Sequence, residues 1–483
     1  MVCKTMKLPR GFSLHSPVVA NFQQDTINYG ILNNNAALLL HMGLGKTYCA
    51  LQIARFRIQF CNAKKILVLA PASLLYNWQE EVNKFTEYNS IILYGDKNYR
   101  KSSIKEFIEG DYYFGIINYE ALTKKYFSRN LLYSYDIVIA DESAKYLKTF
   151  NTKRTEVATD IADISKYKLI LTGTPISNKP IDIWSQYRFL DGGRTFGNNF
   201  YKWRHHYFYQ SGGRFKYYTF KKKLSTELSH KIYGTSIRFG KEHRKGKLPK
   251  ELFSPIILKP GNKFYNAYDD VRDKILTEIK LEGGIANIKI DNVLTKLIRL
   301  QQITSGFIKI DGVEHRLEYT PKLDALEEYI DTALSVGDSV IIWCWFKYSI
   351  QIISDLLKEK SIKYLTMSGS DSSIEKTKKW KRFQKSKTIN AFVGQIVSGG
   401  IGINLNKLNI KTTESQHMVF YENTQTLADR EQALGRVDRV GVITDTIYYK
   451  DILIKDTIDE KIMRSITANK DLADLIIKNK EII

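Results

Sequence analysis

Cysteine is scarce in this chain of 483 residues: Cys3, Cys49, Cys61 and Cys344 are the four it has. They are too scattered for a CxxC-type metal site and too few for a disulfide scaffold, so reduced, buried thiols are expected. His15 and the pair His205-His206 have no acid or cysteine at ligand spacing, which argues against a histidine metal site. Long apolar runs are missing too. No stretch reaches the roughly 18 apolar residues needed to cross a bilayer, and the N-terminus, with Lys4 and Lys7 among polar residues, has no apolar signal core. A soluble cytoplasmic protein that avoids membranes is expected. There is no repeat of fixed short period, and the one low-complexity tract, Asn33-Asn34-Asn35, reads as a turn. Acid is also short: 73 lysines and arginines face 51 aspartates and glutamates, a formal net charge of +22. Such a surplus points to a polyanionic partner, with nucleic acid as the first candidate.

What is present is a series of short apolar runs ending in polar or glycine-rich turns, the pattern of buried parallel strands feeding loops and helices. Ala36 to Leu40, Ile66 to Ala70, Gly115 to Ile117, Asp136 to Ala140 and Leu169 to Leu171 form one set. Val340 to Trp345, Tyr364 to Met367, Ala391 to Gly394, Met418 to Tyr421 and Asp445 to Tyr449 form another. The fold class is therefore α/β with two similar parallel-sheet domains, and chemistry is expected at the strand exits. Between them, from about Ile181 to Thr320, lie basic, aromatic segments and then helical periodicity around Asp291 to Ile303, read as an insertion plus linker. The expected divisions are 1–180, 181–320 and 321–483. Thr457 to Lys478 reads as one or two amphipathic helices.

Gly43-Leu44-Gly45-Lys46-Thr47 follows the first run and opens a helix. Backbone amides there can wrap phosphates while Lys46 neutralises the β and γ phosphates of ATP and Thr47 ligates Mg2+. A strict phosphate-loop pattern wants glycine where Leu40 stands, so other segments must decide. Asp141-Glu142 ends the fourth run. Asp141 is placed to hold the magnesium shell and Glu142 to orient or deprotonate water, although an acidic pair by itself is more often a solvated turn. Near the far end, Gln432-Ala433-Leu434-Gly435-Arg436-Val437-Asp438-Arg439 spaces two arginines three apart, read as one face of a helix. An arginine delivered from a distant segment to the terminal phosphate senses ATP and stabilises phosphoryl transfer. Gln432, Arg436 and Arg439 are the candidates, a solvated basic face being the plain alternative.

These segments together resemble a superfamily 2 helicase-type ATPase, most closely the SWI/SNF-type double-stranded DNA translocases. Ile66 to Trp78 is similar to the family's motif Ia, Asp141-Glu142-Ser143-Ala144 stands at its acidic box, and Leu171-Thr172-Gly173-Thr174-Pro175-Ile176-Ser177-Asn178 resembles motif III. Ser398-Gly399-Gly400-Ile401-Gly402-Ile403-Asn404-Leu405 looks like motif V, and Gln432 to Arg439 like motif VI. The resemblance implies RecA-like domains, an adenine-reading role for Gln23, nucleotide contact at Gly402, and DNA contact at Pro71, Ser73, Ser368, Gly369 and Ser398. Thr172, Gly173 and Thr174 suit a relay between the acidic box and the domain interface, and Asn404 can hydrogen-bond across the cleft. Leu74, Leu75 and Trp78 are better read as core.

In the basic stretch, Lys221, Lys222 and Lys223 are read as phosphate contacts. Tyr201, Trp203, Tyr207, Phe208, Tyr209, Tyr217 and Tyr218 serve either as core or as base-stacking rings. Three departures from the family stand out: Leu40 and His41 where acids are usual, Ala144 in place of the common histidine, which weakens the expected coupling of ATP to DNA, and Val442 where glutamine is common. No bromodomain-like, chromodomain-like or nuclease segment is visible, which disfavours a full chromatin remodeller and suits a compact phage or viral motor. The expected function is a monomeric ATP- and Mg2+-dependent translocase on duplex or branched DNA, acting in branch migration, fork remodelling or protein displacement. An RNA or single-strand helicase and a non-hydrolysing ATP-switched clamp remain the alternatives.

Overall fold

The computed structural model describes residues 8–18, 20–123, 135–176, 179–212, 216–243, 249–281, 290–310, 312–399, 403–408, 415–437, 444 and 446–477. Two compact units divide the chain: Met1–Ser211 with Tyr218–Gly246 and Asp471–Ile483 form the first, Gly212–Tyr217 with Lys247–Lys470 the second. The stretch 181–320, expected as one insertion, is thus shared between them.

Unit 1 begins with α1 (Asn21–Leu32), β1 (Asn35–Leu40), α2 (Lys46–Cys61), β2 (Ile66–Ala70) and α3 (Leu75–Phe85). It continues through β3 (Ser90–Ile92), α4 (Lys97–Glu109), β4 (Phe114–Asn118), β5 (Ile137–Asp141), α5 (Ser143–Tyr146), α6 (Lys153–Ile164) and β6 (Tyr167–Leu171). The five expected apolar runs are all strands, with ends shifted by two residues at most. They lie in one parallel sheet of order β3-β4-β2-β5-β6-β1, with β9 (Ser236–Phe239) added beside β1. Every residue of β2, β4 and β5 is buried. Strands covered on both faces read as unbroken apolar runs, which is why they were visible. The edge strands β3 and β9 are short and partly exposed, so they lack that signal.

Before β9 come α7 (Ile183–Asp191), α8 (Phe200–Tyr207), the strand pair β7 (Phe208–Ser211) and β8 (Tyr217–Phe220), whose first residue falls in the stretch assigned to the second unit, and α9 (Ser225–Tyr233). Here the aromatic segment divides by role. Trp203, Tyr207 and Phe208 enter the same core as Leu67, Val138 and Tyr187, whereas Tyr201, Tyr209 and Tyr217 remain exposed.

Unit 2 opens with β10 (Lys250–Phe253), β11 (Ile256–Leu258), α10 (Asn262–Leu281), α11 (Ile290–Thr304) and the antiparallel pair β12 (Phe307–Ile310) and β13 (Val313–Arg316). Then follow α12 (Pro321–Ser335), β14 (Ser339–Cys344), α13 (Lys347–Glu359), β15 (Tyr364–Met367), α14 (Ser373–Lys385), β16 (Ala391–Gln395) and α15 (Ile396–Gly399). The remainder is β17 (Gln416–Phe420), α16 (Leu427–Leu434), β18 (Thr446–Ile454) and α17 (Ile458–Ile477), a single helix. The sheet order is β10-β18-β17-β14-β16-β15, again parallel, with β11 also pairing β18. β18 outruns its expected end at Tyr449 because Asp451 interrupts the apolar pattern. That carboxylate is buried but held by Arg430 at 2.7 Å, so the strand continues past it. No helix among the described residues is long and apolar enough to cross a membrane.

Candidate functional site

The exits of β1, β5 and β6 converge in unit 1. Gly43 and Gly45 both take the left-handed conformation (φ 80° and 83°), and Gly45 caps the start of α2. Glycine is required there because a side chain strains that backbone. The exposed N–H groups and positive end of the helix then face the loop, the arrangement that binds phosphate. Lys46 Nζ donates to the Leu40 carbonyl at 3.2 Å, and Thr47 occupies the first turn of α2. The Gln23 amide donates to the Leu44 carbonyl at 3.1 Å, and a Cβ on Gly45 would come within 2.6 Å of that amide nitrogen. Gln23 thus braces the loop, while the Leu44 side chain is buried.

Asp141 is the last residue of β5 and is buried. The Trp78 indole N–H donates to its Oδ2 at 2.9 Å, the Glu142 amide to its Oδ1 at 2.9 Å, and the Tyr119 hydroxyl to its carbonyl at 2.7 Å. Burial, reinforced by the neighbouring Glu142 charge, pushes the Asp141 carboxyl up to about 7, against the pull of Trp78 and of the Lys46 cation. A buried carboxylate in that condition is short of positive charge. The Asp141 carboxylate and the Thr47 hydroxyl are hard oxygen donors, the type that suits a magnesium ion. Glu142 has φ 48° and ψ 41°, an uncommon conformation for a side chain of this size, found here at the acidic box.

Motif III lies against the phosphate loop. A Cβ on Gly173 would stand 3.2 Å from the Leu40 carbonyl and 3.5 Å from the Met42 nitrogen, so glycine permits this approach. Thr172 donates its amide to Leu38 at 3.3 Å, and its hydroxyl accepts from the Thr174 amide at 3.3 Å. Ser177 and Asn178 lie outside the described residues. One connecting residue went unread in the sequence. Gln186, fully buried on α7, accepts from the Ser143 hydroxyl at 3.0 Å and donates to the Pro175 carbonyl at 2.9 Å, joining the acidic box to motif III. A polar residue on an otherwise apolar helix face was its only signal. Trp78 was read as core; it is buried and also serves the site through its N–H.

At the DNA-contact candidates of unit 1, Pro71 caps a single 3-10 turn that holds Ser73, whose Oγ is buried with no hydrogen-bond partner among the described residues. Lys221 Nζ donates to the carbonyls of His205 and His206, 2.9 Å each, at the end of α8, and so caps that helix. Lys222 and Lys223 are exposed.

In unit 2, Gln432 is buried in α16, but the helix ends at Leu434. Arg436 follows the Gly435 cap and so stands just beyond α16. Arg436 is buried and donates to the Ile403 carbonyl at 3.3 Å, while its own carbonyl accepts from Leu405, tying motif VI to motif V. Arg439, Gly402 and Val442 lie outside the described residues, as does the Ser398 side chain. Asn404 accepts from the Asn406 amide at 3.1 Å, closing a local turn. Ser368 and Gly369 follow β15, with their amides on Asp371 (2.8 Å) and Gln395 (3.2 Å). Arg430 went unread as well; it pairs with both oxygens of Asp451 at 2.7 and 2.8 Å and fixes α16 to β18.

Comparison with known proteins supplies the lineage. The SNF2-related domain model matches residues 22–306 and the helicase conserved C-terminal domain model residues 321–441. The chain is 26% identical over 429 residues to an uncharacterized ATP-dependent helicase of Mycoplasma genitalium, covering 87% of this chain and 38% of that protein. It is 24% identical over 461 residues to an ISWI chromatin-remodeling complex ATPase of Saccharomyces cerevisiae, covering 90% and 38%. Among solved structures, a Sulfolobus solfataricus SWI2/SNF2 ATPase core in complex with dsDNA matches with TM-score 0.44 and 22% identity, covering 98% of this chain and 96% of that one. The chain thus spans about two fifths of the length of these curated relatives. With phosphate loop, acidic box and motif III assembled in one parallel-sheet unit and the family model spanning more than half its length, the chain belongs to the SNF2-related family of superfamily 2 helicase-type proteins.

Proposed function

We propose that this chain hydrolyses ATP to move along duplex or branched DNA. The observation that carries the reading is the buried Asp141, placed by Trp78 at the β5 exit and within the field of Lys46 of the phosphate loop. Lys46 would exchange the Leu40 carbonyl for phosphate oxygens, and the α2 amides and Gly45 would cradle them. Thr47 and Asp141 would hold magnesium, which neutralises phosphate charge when bound. Glu142 would orient the attacking water and take its proton. Gln432, Arg436 and Arg439 would respond to the terminal phosphate from unit 2, with Gly402 at the nucleotide, and Thr172, Gly173 and Thr174 would pass the change onward. Pro71, Ser73, Ser368, Gly369 and Ser398 are assigned to the sugar-phosphate backbone. Movement follows from the two units gripping DNA in turn, the chain working as a monomer.

ATP turnover measured with no nucleic acid, duplex DNA, single-stranded DNA and RNA tests this. Strongest stimulation by duplex DNA is expected, and a preference for RNA would overturn the reading. Glu142→Gln is expected to retain ATP and lose turnover; unchanged turnover would remove that glutamate from the chemistry.

A further inference from the structure

The outer face of the β7–β8 pair carries groups that hydrolysis does not use. The Lys221 amide donates to the Tyr207 carbonyl at 2.9 Å, closing the hairpin, and the Phe208 and Phe220 rings meet at 5.6 Å on its buried side. Side chains alternate along a strand, so Tyr209 and Ser211 of β7 and Tyr217 and Thr219 of β8 share the opposite side. All four are exposed, Tyr209 by 55% and Tyr217 by 62%. Phe208 and Phe220 belong to the unit 1 core, so the outward rings stand on a firmly packed base.

Positive charge lies on both sides of the pair, Lys221 by the outward Tyr209 and Arg204 by Tyr218 on the inner side. The two carbonyls at the end of α8 tether Lys221 Nζ 5.1 Å from the centre of the Tyr209 ring. Arg204 stacks over Tyr218 at 3.9 Å and over the exposed Tyr201 at 5.2 Å. No aspartate or glutamate occurs from Gly192 to Thr226, whereas eight lysines and arginines do. The next acid, Glu227, is taken up by His206 at 3.1 Å and the Tyr207 hydroxyl at 2.7 Å; exposed rings beside a fixed cation match the flat base faces and phosphates of an unpaired strand, and in a duplex the base faces are covered by their neighbours.

We propose that this face binds an unpaired segment of DNA, with Tyr209 and Tyr217 stacking on bases and Lys222 and Lys223 meeting phosphates. The inference rests on the DNA-motor reading and adds to it an attachment for single-stranded DNA, the feature that separates forks and junctions from plain duplex. Fluorescence anisotropy titrations with labelled oligo(dT), blunt duplex and an RNA oligonucleotide of equal length test it. Tyr209→Ala/Tyr217→Ala is expected to weaken oligo(dT) binding by about tenfold or more and to spare duplex binding, while Tyr209→Phe/Tyr217→Phe restores it, since stacking needs the ring and not the hydroxyl. Unchanged oligo(dT) binding, an equal loss on duplex, or no oligo(dT) binding by the parent protein would overturn the proposal, as would a larger loss on RNA than on oligo(dT). Circular dichroism melting checks that both variants fold. Duplex-stimulated ATP turnover in the same preparations reports separately on the motor: its absence from the parent protein overturns the motor reading, whatever the oligo(dT) result.

Discussion

Replacing Gln186 by leucine tests whether the buried bridge from acidic box to motif III couples the two. Leucine has similar volume, so packing is largely kept and the change is mainly polar. The Ser143 hydroxyl loses its acceptor and the Pro175 carbonyl its donor, in a place that water does not reach. Each stranded group costs about 1–3 kcal/mol, and the serine can rotate to find another acceptor, so a net loss of about 2–4 kcal/mol is expected. For a unit of this size that is roughly 4–16 °C in melting temperature, at about 2–4 °C per kcal/mol. Differential scanning fluorimetry reads the stability; basal and DNA-stimulated ATP turnover, below the lowered melting point, read the coupling. Stimulation is expected to fall while basal turnover persists, because the hydrogen bonds of Gln186 go to Ser143, Pro175 and Asp182. Ser143→Ala combined with Gln186→Leu is expected to be less damaging than the two single losses summed, by about 0.5–3 kcal/mol, since the partners are removed together. Strict additivity, or full stimulation in Gln186→Leu, would refute the bridge as a coupling element.

Two further outcomes follow from the same geometry. The Asp141 carboxyl is raised to about 7 in the folded chain from an ordinary value of 3.8, first by burial and then by Glu142, so between those values the folded state holds a proton that the unfolded state has lost. Its contribution is complete below pH 3.8 and is lost as pH rises through 7, up to about 4 kcal/mol at 1.36 kcal/mol per unit; nucleotide-free and metal-free protein is therefore expected to melt lower at pH 8 than at pH 5, and Asp141→Asn to flatten that slope in a pH series of thermal melts. For the lysine run, Lys222→Ala/Lys223→Ala is expected to reduce the log–log salt slope of oligo(dT) binding by about 1.4, whereas Lys221→Ala is expected to lower thermal stability and leave the slope within error; a slope change from Lys221 as large as from the other two would reverse that assignment.

Which parts were legible in the sequence follows from how local their causes are. β2 was placed to the residue because a strand buried on both faces needs nothing beyond its own apolar run, and Gly45 announced itself because a left-handed helix start excludes side chains. β9 could not be read, since four residues acquire strand character only by pairing with β1, about 200 positions earlier. Distance in sequence likewise hid the contacts of Trp78 with Asp141 and of Gln186 with Ser143, whose partners lie 63 and 43 residues away. The motif VI region shows the opposite error. Spacing suggested a helical place for Arg436, yet Gly435 stops α16 just before it and the Ile403 carbonyl takes its guanidinium. Arg436 is consequently positioned by motif V instead of by its own helix, so a change in the backbone at Ile403 would reach the guanidinium directly. The Ala144 departure gains a physical sense in the same way: the neighbouring Ser143, through Gln186, supplies a fixed link from the acidic box to the Pro175 carbonyl without help from position 144.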